Sequence, residues 1–174
     1  HYALAYRISE QWLLFSTPDP TLGEMNFYPR GSHIIAAIVG VFFNSIFIGI
    51  QLTTLASIAI IWLSVLAMLN GMPQRIANAA LLSFFLLFLV NTFILRFQLH
   101  GHEVIGNFFY SQLVAQAFLY LSLIFSMRIE KKFGELYATS ALLLIMFFVA
   151  YIHLLPALQI LGLIGGITAI KIFG

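Results

Sequence analysis

The sequence predicts an all-α integral membrane protein, a polytopic bundle of about five transmembrane helices preceded by an amphipathic helix. Hydrophobic residues make up 61% of the chain and charged residues 8%, whereas soluble domains carry about 25% charged residues. The mean hydropathy is +1.01. No Asp, Glu, Lys or Arg occurs between Arg30 and Arg75, a stretch long enough for two spans of about 20 residues each.

The chain is expected to divide into three segments. Residues 1–31 form a cytosolic amphipathic helix, whose aromatic side chains suit a headgroup layer, and a polar connector. The segment from Ser16 to Pro20 breaks the helix because neither proline can donate a backbone hydrogen bond, and the connector runs from Gly23 to Gly31. Residues 32–156 form the transmembrane bundle. Residues 157–174 form an apolar, glycine-rich tail, which is a short sixth span, a re-entrant segment or an interfacial helix.

Each predicted span is an apolar run with polar or helix-breaking residues at its ends. Residues 49–51 leave room for only a tight turn, so the first two spans form an antiparallel hairpin. Residues 70–74 predict a second turn, because Asn-Gly tolerates positive φ and Pro73 can open a helix. The fifth span stops at Pro156. The spans cover about residues 32–48, 52–69, 77–95, 108–127 and 136–155.

The basic residues predict the orientation of the bundle, because cytoplasmic loops carry an excess of Lys and Arg. The N-terminus is therefore expected in the cytoplasm and the loop at His100 on the opposite side. A cluster of three basic residues is also expected to contact anionic lipid headgroups; it comprises Arg128, Lys131 and Lys132. The others on the cytoplasmic side are Arg7, Arg30 and Arg75.

Small residues predict the faces on which helices pack, because helices in lipid gain nothing by burying leucine against leucine. Ala36, Gly40 and Asn44 recur every four residues on the first span. In the tail, three glycines are expected to allow the close approach of a partner helix. They are Gly162, Gly165 and Gly166.

Polar residues within the spans allow two interpretations. They form either a polar pathway through the bundle or ordinary hydrogen bonds between helices, and the second interpretation is favoured. No ionisable residue lies at mid-membrane in the predicted spans, which argues against ion-coupled transport. The polar residues are Asn44, Asn91, Gln112 and Gln116.

One loop has the composition of a metal site. His100 and His102, with Glu103, offer ligands for zinc or copper, especially if His153 joins them. Their spacing differs from the helical H-E-x-x-H pattern, so a solvated loop is the simpler interpretation. His153 alone could ligate a haem iron, but a histidine near a helix end more often bonds a neighbour.

Catalytic patterns are missing from the sequence. Cysteine is absent, which removes thiol catalysis and cysteine-bound metals. There is neither a G-x-S-x-G elbow nor a phosphate-binding glycine loop. We therefore expect no enzyme activity, no catalytic residue and no cofactor. The basic residues form no stripe that could follow a phosphate backbone, so nucleic acid is not an expected partner.

Two connectors resemble those of the Yip family of small five-span membrane proteins. One is Tyr28-Pro29-Arg30-Gly31-Ser32, which leads into the first span, and the other is Asn70-Gly71-Met72-Pro73-Gln74-Arg75, which leads into the third. The resemblance covers about residues 28–156. It implies a non-enzymatic protein that works through protein or lipid contacts, and likeness to the bacterial branch implies a bacterial inner membrane.

Together these features predict a scaffold or accessory subunit of a membrane protein complex. Its partners would be membrane lipids and other integral membrane proteins. Two alternatives remain open: a small uncoupled channel or carrier of lipids or metabolites, and a metal- or haem-binding membrane protein.

Overall fold

The computed structural model describes residues 1–11, 20–90 and 110–173 and has seven α-helices in this part of the chain, with no strand among the described residues. The predicted all-α class is therefore confirmed. A 3-10 helical segment, Pro20–Phe27, follows the first helix. The helices are α1 Tyr2–Gln11, α2 Gly31–Phe42, α3 Ile46–Asn70, α4 Gln74–Leu89, α5 Tyr110–Phe133, α6 Glu135–Ile152 and α7 Leu154–Phe173.

Three of these helices, α3, α5 and α6, are long and apolar enough to cross a membrane. This supports a membrane location. The expected number of about five spans is not confirmed, since α2 has only 12 residues and α4 has 16 within the described part. At about 1.5 Å per residue α2 is about 18 Å long, well short of the roughly 30 Å of a hydrocarbon core. Residues 91–95 and 108–109 of the predicted spans lie outside the described residues.

The first predicted turn is wrong, because residues 49–51 lie inside α3. The chain turns instead at residues 43–45, where Asn44 has a φ of 51° and Ser45 caps α3 by accepting a hydrogen bond from the Ile48 nitrogen at 3.4 Å. Gly49 serves close packing: a Cβ atom there would lie 2.6 Å from the Gly40 nitrogen. The glycine that resembled a turn residue is thus the point where α2 and α3 cross.

The second predicted turn is confirmed, because α3 ends at Asn70 and α4 begins at Gln74. Its mechanism differs from the expected one. Gly71 has a φ of −84°, so the turn does not use positive φ.

The predicted end of the fifth span also needs correction. Helix α6 ends at Ile152, and His153 is extended with φ −164° and ψ 134°. Pro156 does not stop a helix but lies in the first turn of α7, where the missing N–H is tolerated. The predicted tail therefore belongs to a helix of 20 residues, which packs on α6 and α5.

The core lies between α1, α2, α3, α5, α6 and α7 and contains several alanines, which bring the helix backbones close together. Helix α1 packs on α2 and α3 with Leu4, Ala5 and Ile8 buried, while Tyr2 and Tyr6 face outward. Helix α4 makes at most marginal contacts with the other described helices. Ala77 is its one buried residue among those whose side chains are described.

Candidate functional site

A buried polar cluster lies where α1, α2 and α5 meet, and we call it the His33 cluster. Four of its members, at the starts of α2 and α5, have no exposed surface. In a chain of this composition, a concentration of buried polar side chains is the most distinctive local feature of the described structure. The cluster comprises His1, Tyr28, Ser32, His33, Tyr110 and Ser111.

Hydroxyl groups join α2 to α5 in this cluster. The Oγ atoms of Ser32 and Ser111 lie 2.7 Å apart, and the Tyr110 hydroxyl donates a hydrogen bond of 2.8 Å to the Ser32 carbonyl oxygen. Two helices far apart in the sequence are thus connected at their first turns by buried hydrogen bonds, each worth about 1 kcal/mol net.

The His33 side chain joins α1 to the same point. Its Nε2 lies 2.8 Å from Nδ1 of His1, and its Nδ1 lies 3.3 Å from the Pro29 carbonyl oxygen. Because a carbonyl oxygen only accepts, the Pro29 contact assigns the proton to Nδ1 of His33, and His1 then donates to Nε2. The rings of His1 and His33 are stacked with centroids 5.0 Å apart.

The environment of His33 keeps it neutral. Burial lowers the pKa of His33 to about 4, and the positive charge of the amino group of His1 acts in the same direction, although the hydrogen bond to the Pro29 carbonyl opposes both. Aromatic rings surround it, with those of Tyr28 and Tyr110 in edge-on contact. His33 lies at the start of α2, outside the three helices that are long enough to span a membrane.

The cluster is a fully bonded packing site. In the described part of the chain no buried side-chain nitrogen or oxygen lacks a hydrogen-bond partner. No group of three His, Cys, Asp or Glu residues in that part could hold a metal ion. The arrangement fastens α1, α2 and α5 to one another.

A second feature is an apolar groove between α2, α3 and α5, with a volume of about 410 Å³. Thr53 and Ser57 supply its only hydroxyl groups among the described lining residues. Both donate to carbonyl oxygens of their own helix, at 2.7 Å to Gly49 and 2.8 Å to Thr53 respectively. The other lining residues are Ile35, Val39, Leu52, Ala56, Ile60, Val114, Ala117, Phe118 and Leu121.

The packing face predicted on the first span, Ala36, Gly40 and Asn44, lies only partly on one helix. Ala36 and Gly40 are buried against α3, and a Cβ atom on Gly40 would lie 2.8 Å from Cδ1 of Ile46. Asn44 does not continue this face, because it lies beyond the end of α2 in an exposed turn. These residues therefore form a contact within the chain.

The glycines of α7 have the opposite surroundings. Gly162, Gly165 and Gly166 are all exposed, and a Cβ atom on any of them would meet nothing within 4 Å. No described part of the chain covers this face of α7.

Of the residues predicted to form a polar face, the structure describes Asn44, Gln112 and Gln116. Gln112 and Gln116 are half-buried on α5, but neither lines the groove. Asn44 lies in its exposed turn rather than on a helix face beside them. Asn91 lies outside the described residues.

Basic residues and His153 lie at helix ends. Arg128, Lys131 and Lys132 are exposed in the last turns of α5, so the predicted headgroup cluster is helical rather than a loop. Nδ1 of His153 accepts a hydrogen bond of 3.3 Å from the Leu155 nitrogen and so caps α7, and burial lowers its pKa. His100 and His102 lie outside the described residues.

Sequence reasoning missed the His33 cluster. Ser32 and His33 lie at the start of the first predicted span, and α2 begins beside them at Gly31 with no side-chain cap. The partners of Ser32 on α5, Tyr110 and Ser111, lie 78 and 79 residues further along the chain. No local sequence pattern predicts such a pairing. The available signal was two polar pairs, Ser32-His33 and Tyr110-Ser111, each at the start of an apolar helix.

Comparisons with protein-family models, with curated proteins and with solved structures found no match. The resemblance to the Yip family therefore remains a prediction from the sequence. Fold and site together define a helical membrane protein with a hydrogen-bonded cluster, an apolar groove and an uncovered glycine face.

Proposed function

We propose that this chain is a non-enzymatic accessory or scaffold subunit that packs against another integral membrane protein through the glycine face of α7. The proposal rests on three exposed glycines of α7, where an added Cβ atom would meet no atom of the described chain within 4 Å. A glycine in a helix costs about 1 kcal/mol relative to alanine. Glycines that pack against nothing in their own chain fit a surface where another helix approaches closely.

Other exposed surfaces support the same function. Helix α4 is apolar, and its described side chains are almost all uncovered, so it adds a second face for lipid or partner helices. We place Arg128, Lys131 and Lys132 among lipid headgroups on the cytoplasmic side, together with the N-terminus. A bacterial inner membrane and a Yip-like role in complex assembly belong to this proposal.

The test compares the glycine face with another exposed face of the same helix. Gly165→Leu and Gly166→Leu add bulk at the proposed contact, whereas Ile167→Phe adds bulk at an exposed residue on the opposite side of the helix from Gly165. Each variant is expressed at native level, purified in mild detergent and analysed by mass spectrometry of the proteins that remain bound. We expect a stoichiometric partner with the parent chain and with Ile167→Phe, and its loss with the glycine variants.

Two results would contradict the accessory role. One is a parent chain that purifies without any stoichiometric partner. The other is full retention of the partner by both glycine variants.

The groove favours a second candidate function, an uncoupled carrier of apolar molecules. Its walls are apolar, and its two hydroxyl groups are bonded to their own helix. A flux assay in liposomes separates the two functions, because a scaffold transfers neither a labelled lipid nor a water-soluble dye across the bilayer. Transfer of the lipid but not of the dye would favour the carrier.

A further inference from the structure

Helix α1 depends on its neighbours for its structure. It has 10 residues, and isolated helices shorter than about 12–15 residues are only marginally stable in water. It packs on α2 and α3, and the side chains of Leu4, Ala5 and Ile8 are buried in this contact. The folding of α1 is therefore coupled to its docking, and a short helix with a small apolar contact opens more easily than the core.

A histidine pair adds a polar part to this contact. Nδ1 of His1 lies 2.8 Å from Nε2 of His33, and the two rings are stacked at an interplanar angle of 25°. Because His33 carries its own proton on Nδ1, towards the Pro29 carbonyl oxygen, the hydrogen between the rings belongs to His1. The pair joins the start of α1 to the start of α2.

The geometry of this pair has room for one hydrogen between the two nitrogens but not for two. Protonation of His33 adds a hydrogen at Nε2, and the contact then survives only if His1 carries its proton on its other ring nitrogen. When both rings are protonated, two N–H groups face each other across 2.8 Å, and two positive rings lie with centroids 5.0 Å apart. Acidification therefore turns an attractive contact into a repulsive one.

The described neighbours do not offset this positive charge. Glu10, the acidic residue of α1, pairs with Arg7 at 3.6 Å near the other end of the helix, and α3 has no titratable side chain. Burial lowers the pKa of His33 to about 4, and the charge of the His1 amino group acts in the same direction. The charged or titratable groups described at or beside the start of α2 are otherwise neutral or positive at low pH: His1 before α1, Tyr28 and Arg30 before α2, Tyr110 on α5, and Tyr151 and His153 at the end of α6.

We propose that α1 is a pH-sensitive latch, which protonation of the His1–His33 pair releases from α2 and α3 while the other helices stay packed. The rest of the core has contacts that do not involve α1. Helix α2 remains joined to α3 at the Gly40–Gly49 crossing and to α5 by the hydrogen bond between Ser32 and Ser111. The latch is separate from the glycine face of α7, so its failure would leave the accessory role intact.

Amide hydrogen exchange measures the opening of the latch. The parent chain in lipid nanodiscs is analysed by mass spectrometry at pH 7.5 and pH 5.5, with rates corrected for the intrinsic pH dependence of exchange. The pKa of His33 is about 4 in the docked state and about 6.5 once the ring is exposed. Protection of the α1 amides should therefore fall about tenfold between these pH values, and at both it should be lower than protection of the α3 amides, because α1 opens alone.

Two histidine variants assign the response to the latch. His33→Gln removes the titrating ring, so α1 should lose its pH dependence, whether its protection is then low at both pH values or high at both. His153→Gln is the matched control, because burial also lowers the pKa of His153, yet its Nδ1 bonds the Leu155 nitrogen at the start of α7. The tenfold fall in α1 should persist in this control.

The parent chain alone can overturn the proposal, even if His33→Gln fails to fold. Equal α1 protection at pH 7.5 and pH 5.5 would show that the histidine pair does not control docking. Equal protection of α1 and α3 would show that α1 leaves only when the whole chain unfolds. A tenfold fall that persists in His33→Gln would assign the pH response to another group, and the latch would be wrong.

Discussion

His33 shows what a single buried residue contributes to this fold. It is fully buried, bonded to His1 and Pro29 and faced by the rings of Tyr28 and Tyr110. None of these neighbours is an acidic group that could stabilise a protonated imidazole. Protonation of His33 is therefore unfavourable in the folded chain.

The first prediction is a loss of stability on acidification. The pKa of His33 is about 4 when folded and about 6.5 when unfolded, so its folded-state pKa is lowered. The packed form is fully stable above about pH 6.5 and loses stability as the pH falls from there towards 4. Between pH 7.5 and 5.5 the folded-to-unfolded ratio attributable to His33 should fall about tenfold.

Unfolding of the detergent-solubilised chain at several pH values checks this prediction. His33→Gln removes the titrating group and should abolish that part of the pH dependence, although the variant is less stable throughout. An unchanged pH dependence in His33→Gln would show that other groups are responsible.

At the scale of the helices, the crossing of α2 and α3 depends on two glycines. Gly49 and Gly40 lie in contact, and Ala36 contributes its backbone oxygen at the same point. This arrangement brings two backbones together without intervening side chains.

The second prediction concerns this crossing. Gly49→Ala should destabilise the chain by about 1–3 kcal/mol or more, because its Cβ atom would lie 2.6 Å from backbone rather than from a flexible side chain. Gly162→Ala is the matched control: the same methyl group meets nothing within 4 Å, so stability should be unchanged or slightly higher. Thermal unfolding in detergent measures the stability of both variants. Equal stability would contradict the close backbone contact of α2 and α3 at Gly49.

Helix boundaries show how much the sequence could predict. The turn after Asn70 was predictable because Gly71 and Pro73 are residues that commonly interrupt helices. The turn at Asn44 was not predicted, because Gly49 is of a residue type common in turns and was assigned to the turn instead. Asparagine also tolerates the left-handed region, so Asn44 was an equally suitable residue. Whether a glycine turns the chain or packs against a neighbour depends on what lies beside it in space, which local sequence does not contain.

At the scale of the whole molecule, composition predicts the membrane location well, because the hydrophobic fraction is a property of the chain as a whole. It does not predict the assembly of the site. The His33 cluster and the groove both need α2 and α5 to meet, although α2 ends at Phe42 and α5 begins only at Tyr110. The three glycines of α7 are visible in the sequence, but the sequence does not show that the described part of the chain leaves their face of the helix open.

The most direct test of the accessory role is a photo-crosslinking amino acid at position 165, activated in native membranes at endogenous expression. The same residue at position 167, which is exposed on the other side of α7, serves as the control. The account predicts one discrete protein adduct from position 165 and a much weaker one from position 167. Lipid adducts alone at position 165 would contradict the claim that α7 packs against a partner.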